Sequence, residues 1–143
     1  MLPAKPVMVA LASKAQISKP STKDIQVKDY EPITDSKNVA RYVSDYFQDI
    51  PILARIAECE SQNRQYDKNG EVLRGEQNRF DVGVMQINEK YHLDDSKSIG
   101  LDIYKIEGNV AFARHIYEKQ GAKPWMSSSP CWSKFTQKEL ARI

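Results

Sequence analysis

The sequence predicts a mainly α fold, a single helical domain with one small β-hairpin, on three observations. Apolar residues recur at intervals of three and four in separate segments, the pattern of helices that bury one face. Asn69-Gly70, set between Asp67 and Val72, is the strongest short hairpin signal in the chain. A length of 143 residues with 41% hydrophobic content supplies one real core and leaves too little chain for a second full domain.

Residues 1–34 read as an extended leader or tether. They hold four of the seven prolines (Pro3, Pro6, Pro20, Pro32) and none of the six glycines. Lys14, Lys19, Lys23 and Lys28 are scattered among Ser, Thr and Gln without helical period. Val7 to Ala12 form an apolar patch after Lys5 with an Ala-x-Ala-like end, but six residues fall short of the usual apolar region of a signal peptide. A signal remnant and an ordinary mobile terminus both stay open, and residues 35–143 are expected to form the domain.

The first helix starts behind an Asp35 or Ser36 cap, with Val39, Val43 and Tyr46, joined by Ala40 and Phe47, making its apolar stripe. Pro51 suits the first turn of a second helix, in which Ile52, Leu53, Ile56, Ala57 and Cys59 are apolar and Glu58, Glu60 and Ser61 close the C-terminal end. Tyr66 to Leu73 form the hairpin; an EF-hand reading of Asp67 to Gly70 fails because the remaining ligands are missing. Val110, Ala113, Ile116 and Tyr117 mark another helix, opened near Glu107 and closed by Gly121. Thr136 with Glu139 fits a capping box for a short last helix.

Several function classes are excluded by composition. Lys plus Arg total 21 against 19 for Asp plus Glu, and this near balance leaves no broad basic footprint for nucleic acid. No apolar run reaches the roughly 20 residues of a membrane span, so no stable membrane insertion is expected. Cys59, Cys131, His92 and His115 lack metal-ligand spacing, and neither a metal nor another cofactor is expected. The two cysteines admit a disulfide, buried thiols or a catalytic thiol; in an exported protein they would be oxidised, and the Cys59–Cys131 bond is the expectation adopted.

The stretch with chemical potential is Ala57-Glu58-Cys59-Glu60-Ser61, followed after the hairpin by Asp81-Val82-Gly83-Val84-Met85-Gln86-Ile87-Asn88. A carboxyl at the end of an apolar helix that is partly desolvated keeps its proton near neutral pH, as a general acid must. Gln86 between apolar neighbours is costly to bury without hydrogen-bond partners.

Glu60-Ser61, then Gly83-Val84-Met85-Gln86-Ile87, then Asn109 within Glu107-Gly108-Asn109-Val110, give the chain from about Ile52 to Trp132 its family resemblance. The segment resembles the catalytic domain of soluble lytic transglycosylases and goose-type lysozymes, the lysozyme-like superfamily that cleaves peptidoglycan. The resemblance implies an α+β lysozyme-like fold with the hairpin beside the active-site cleft. It implies Glu60 as the acid/base and Gln86 in the sugar-binding cleft with Met85 close by, within a substrate-binding set of Ser61, Met85, Gln86, Asn88 and Trp125. Met85 and Ile87 as core, and Trp125 and Trp132 as core packing rather than sugar stacking, stay open beside these roles.

The chain departs from the family pattern in two places. The stretch between Glu60 and Gln86 is longer than in common lytic transglycosylases, the addition being the hairpin around Asn69-Gly70. The late Ala-Tyr-Asn motif is replaced by Lys123-Pro124-Trp125-Met126-Ser127, which leaves Trp125, or nothing, where a tyrosine usually approaches the catalytic carboxylate.

Asp81 is the best second carboxylate, with a turn cap as its alternative role. The implied activity is lytic transglycosylation of the MurNAc-GlcNAc bond by one carboxylate, with 1,6-anhydro ends. A two-carboxylate lysozyme, a silent glycan-binding module and a Cys59–His92 or Cys59–His115 hydrolase are the rivals. The implied partner is the peptidoglycan glycan strand, acted on by a monomer in the cell envelope, periplasmic or extracellular.

Overall fold

The computed structural model describes residues 25–134, and within them the architecture is mainly α with one two-stranded antiparallel sheet. A short 3-10 turn, Val27–Tyr30, leads into α1 (Ser36–Tyr46) and α2 (Pro51–Ser61). Strands β1 (Asp81–Val82) and β2 (Ile87–Asn88) follow, then α3 (Glu89–Ser98) and α4 (Ile106–Gln120). A 3-10 segment, Lys123–Ser128, runs into the one-turn α5 (Ser129–Trp132). The apolar patch at residues 7–12 and the Thr136/Glu139 capping box lie outside the described residues.

The helices form where the spacing places them, for identifiable reasons. The Asp35 side chain accepts from the Lys37 N–H and caps α1, which turns Val39, Tyr42, Val43 and Tyr46 inward. Pro51 occupies the first turn of α2, and Leu53, Ala54, Ile56 and Ala57 are buried. Helix α4 is buried through Ile106, Val110, Phe112, Ala113 and Ile116 and ends at Gly121. A Cβ on Gly108 would collide with the Asp102 backbone, so only glycine lets α4 approach the preceding loop this closely. On its outer side Arg114 donates to both Asp49 carboxylate oxygens (2.8 and 3.0 Å) and to the Tyr46 carbonyl (2.8 Å), fastening α4 to the α1–α2 connection.

Three features differ from the sequence reading. Residues 25–34 do not stand outside the domain: Tyr30 and Ile33 are buried in the core, with Ile25 and Val27 packed against it. The Tyr30 hydroxyl donates to Asp45 (2.7 Å), and its ring meets Tyr42 edge-on at 5.4 Å. These apolar anchors prevail over the proline-rich composition, and the folded unit starts earlier than residue 35. The Asn69-Gly70 turn forms, with Asp67 accepting from the Asn69 and Glu71 N–H groups, but its flanks pair only through a Tyr66–Val72 bridge. The paired strands lie instead on either side of Gly83-Val84-Met85-Gln86, in the register Asp81 with Asn88 and Val82 with Ile87. Helix α3 was not foreseen; it starts at an Asn88 cap and buries only Ser96.

Candidate active site

The turn between β1 and β2 is the scaffold of the site. Its backbone is buried, so its polar groups need partners from within the protein. Gln65 accepts from the Val84 N–H (2.9 Å) and Asn109 accepts from the Met85 N–H (2.8 Å). The Asn109 amide donates to the Val82 (3.0 Å) and Ile103 (2.8 Å) carbonyls. The Ser61 hydroxyl reaches the Val84 carbonyl (2.8 Å), and the Trp125 indole N–H donates to the Met85 carbonyl (2.8 Å). Gly83 takes φ +77°, and a Cβ there would lie 2.9 Å from the Gln65 side-chain oxygen and overlap the Asn109 amide. Gly83→Ala should therefore cost about 3 kcal/mol, from the left-handed conformation and overpacking together, read as a lowered urea midpoint.

These bonds decide which expected site residues can face a ligand. Met85 is fully buried and holds the turn from behind, whereas Ser61 and Trp125, each 2% exposed, bond to the turn and also line the larger and the smaller cavity in front of it. The substrate-binding role expected of Met85 is thereby corrected, since it has no surface toward the cleft. A buried tryptophan seeks a partner for its N–H, and Trp125 finds it in the Met85 carbonyl rather than in the cleft. Ile87 and Trp132 are likewise core residues.

In front of the turn, two adjoining cavities of about 540 and 460 Å³ meet at Glu60, Asp81, Gln86 and Ser127. The larger is walled by the segment from Asp67 to Arg79, so the long connection after α2 does shape one side of the cleft. Arg74 pins that wall to α3 by donating to Glu89 (2.6 Å), which also accepts from the Tyr104 hydroxyl (2.6 Å). Asn88, Tyr91 and Trp125 line the smaller cavity, and Tyr91, 74% exposed, offers it a far more open aromatic face than Trp125 at 2%.

Glu60 stands on the last turn of α2, which ends at Gln62 in a left-handed conformation (φ 55°). Gln86 also has positive φ (52°) and is held by its amide, which donates to the Gly83 carbonyl (2.9 Å). Such backbone costs of order 1–2 kcal/mol at a non-glycine residue, and both residues line the larger cavity beside Glu60.

Partial burial raises the Glu60 pKa above the ordinary carboxylate value, a hydrogen bond from Ser128 (2.6 Å) opposes that rise, and the Asp81 charge adds to it. Burial also raises Asp81, against a bond from the Asn88 amide (3.1 Å) that favours its charged form. Asp81 is thus a cleft carboxylate in a strand, not a turn cap. The group that reaches the Glu60 carboxylate from the late segment is Ser128, not Trp125. A serine among three in a row carries no sequence signal, which is why it was missed.

Cys59 and Cys131 are joined, their Cα atoms 6.0 Å apart, fastening the residue before Glu60 to the segment that carries Ser128. The bond consumes both thiols and removes the Cys–His hydrolase reading. His92 lines the smaller cavity and His115 packs on Phe112, 5.6 Å between ring centroids. Among the described residues, no helix is long and apolar enough to cross a membrane. A partly buried carboxyl whose pKa is raised, at the junction of two cavities, is placed to exchange a proton with a bond laid across both, with a second carboxylate nearby. No protein-family model, curated protein or solved structure matches the chain.

Proposed function

We propose that the protein is a peptidoglycan lytic transglycosylase that cleaves the MurNAc-GlcNAc β-1,4 bond with Glu60 as its acid and base. The observation that carries this reading is the Glu60 carboxyl, raised in pKa by burial where the two cavities meet. The glycan strand lies along both cavities, with the scissile bond over Glu60. Glu60 gives its proton to the leaving GlcNAc oxygen as the C1–O bond breaks. The muramyl 6-hydroxyl then attacks C1 and returns its proton to the Glu60 carboxylate. A 1,6-anhydro ring forms, no water is consumed and the acid is regenerated. The resemblance of Glu60-Ser61 and Gly83–Ile87 to the lytic transglycosylase motifs supports this class of product.

The strand is held by Gln86, Asn88 and Tyr91, which line the cleft. The disulfide suits an oxidising compartment, and the cell envelope, where the substrate is found, is the proposed location of a monomeric enzyme. Mass spectrometry of peptidoglycan digests tests the reading. Anhydromuramyl ends support it, reducing ends indicate a hydrolase, and the absence of product indicates a glycan-binding module.

Asp81 in the same cleft favours a second reading, a lysozyme in which it serves as base or nucleophile. Under the one-carboxylate mechanism Asp81→Asn keeps appreciable turnover. It also lowers the Glu60 pKa, because a neighbouring negative charge is removed, and shifts the basic limb of the activity profile to lower pH. A folded but inactive Asp81→Asn would put the lysozyme reading ahead.

A further inference from the structure

We infer that Ser128 is a positioning residue for Glu60, reserving one carboxylate oxygen for itself so that the other carries the transferable proton. The inference rests on Glu60 being the acid and base of the proposed reaction.

The hydroxyl of Ser128 lies 2.6 Å from Glu60 Oε2 and 3.0 Å from the Trp125 carbonyl, so two acceptors compete for its single proton. Its oxygen accepts the Trp132 indole N–H (3.0 Å). With a lone pair engaged by that fixed donor, Ser128 is oriented to give its proton to Oε2. No hydrogen bond from a described residue is shown to Oε1, and Glu60 lines both cavities. Oε1 is therefore the atom left to meet the glycosidic oxygen.

Proton delivery leaves a charged carboxylate in a partly buried place. A hydroxyl already aimed at Oε2 meets that charge without rearrangement, since hydrogen bonds to ionised groups are the strong ones. In the protonated state the same hydroxyl has the Trp125 carbonyl as its alternative acceptor. Ser128 thereby offsets the burial that would otherwise make Glu60 too weak an acid to release its proton.

The bond has a structural guarantee. Trp125, Ser128 and Trp132 follow at intervals of three and four through the 3-10 segment and α5, and the Trp132 indole also lies 3.2 Å from the Trp125 carbonyl. Cys131, next to Trp132, is bonded to Cys59, next to Glu60. The two ends of the contact are thus covalently tied one residue, or three, away from the groups that meet.

The test is a pH titration of the Glu60 carboxyl by NMR on isotope-labelled protein, assigned by its loss in Glu60→Gln, beside peptidoglycan turnover. Asp81, Asp67, Glu76, His92 and Lys123 are ionisable groups that also line the cleft, and because they are common to parent and variants a difference reports the Ser128 bond. Ser128→Ala should raise the Glu60 pKa by about one unit and carry the basic limb of the activity profile up with it. It should lower kcat about tenfold with little change in KM. Ser128→Thr, which keeps the hydroxyl, should restore both. If Ser128→Ala does not fold, Trp132→Phe, which keeps an aromatic ring but removes the indole N–H that orients the hydroxyl along with part of the ring system, should shift the titration in the same direction by less.

An unshifted Glu60 titration in a folded Ser128→Ala overturns the inference. So does a fall in kcat with both titration and activity limb unmoved, since that is what loss of packing alone would give. A parent that titrates as expected but releases no peptidoglycan fragments defeats the proposed function, and with it any role of Ser128 in turnover.

Discussion

Glu60→Gln should abolish turnover while leaving the fold and glycan binding in place. The amide has the shape of the carboxyl and can still accept from Ser128, but it has no proton to give, and loss of general acid catalysis costs at least about 10²-fold. Under the proposed function the parent protein should lose activity as pH rises through the Glu60 pKa, because a general acid works only when protonated. That limb should lie above the usual carboxylate range, since burial and the Asp81 charge raise the value further than Ser128 lowers it. Stability has the same sign. A carboxyl whose folded pKa is raised favours the native state at low pH and loses that contribution as pH climbs through its unfolded and then folded pKa. At neutral pH the neutral glutamine escapes this penalty, and thermal melting should find Glu60→Gln no less stable than the parent. A glycan-binding titration on the same variant separates lost chemistry from a lost cleft.

Breaking the Cys59–Cys131 bond should have the largest effect on stability. The cysteines are separated by 72 positions, and in the chain-entropy model closing a loop of that length is worth about 4 kcal/mol. Replacing both by serine should lower the urea midpoint accordingly, and a reductant should do the same to the parent, because Cys131 is exposed. Function should suffer beyond what unfolding explains. The bond ties the end of α2 to the segment of Ser128 and Trp132, so even the folded fraction should turn over more slowly. Turnover normalised to the folded fraction, compared between oxidised and reduced protein, measures that excess.

The parts of the fold legible in the sequence are those where burial imposes a period. Helices α1, α2 and α4 show it because Val39, Val43 and Tyr46, or Val110, Ala113 and Ile116, must recur every three or four residues to face the core. Helix α3 buries little more than Ser96, so nothing in its composition had to repeat. The sheet is hidden for a different reason: each strand has two residues, and the pairing is maintained by side chains from elsewhere, Gln65 and Asn109 above all. Tyr30 and Ile33 lie in a proline-rich stretch whose composition suggests a tether, and only the packing of Tyr30 on Tyr42 shows otherwise.

The candidate site was legible in its charges and not in its contacts. Glu60, Asp81, Gln86 and Asn88 all face the cleft, as residue types that carry chemistry in this pattern should. Met85 shares the motif yet faces the core, and the polar groups of Ser61 and Trp125 are spent on the turn even though both residues line the cleft, because a buried backbone claims the nearest donors and acceptors. Ser128 stayed invisible because its meaning depends on Trp132 and Glu60, four and 68 positions away.

In the proposed function Glu60 breaks the glycosidic bond without water entering the product. Digesting peptidoglycan with the parent protein in heavy-oxygen water and reading the muropeptide ends by mass spectrometry tests it directly. The parent should form 1,6-anhydromuramyl ends with no solvent oxygen, and Glu60→Gln should form none. Reducing ends that carry the heavy oxygen would contradict that function.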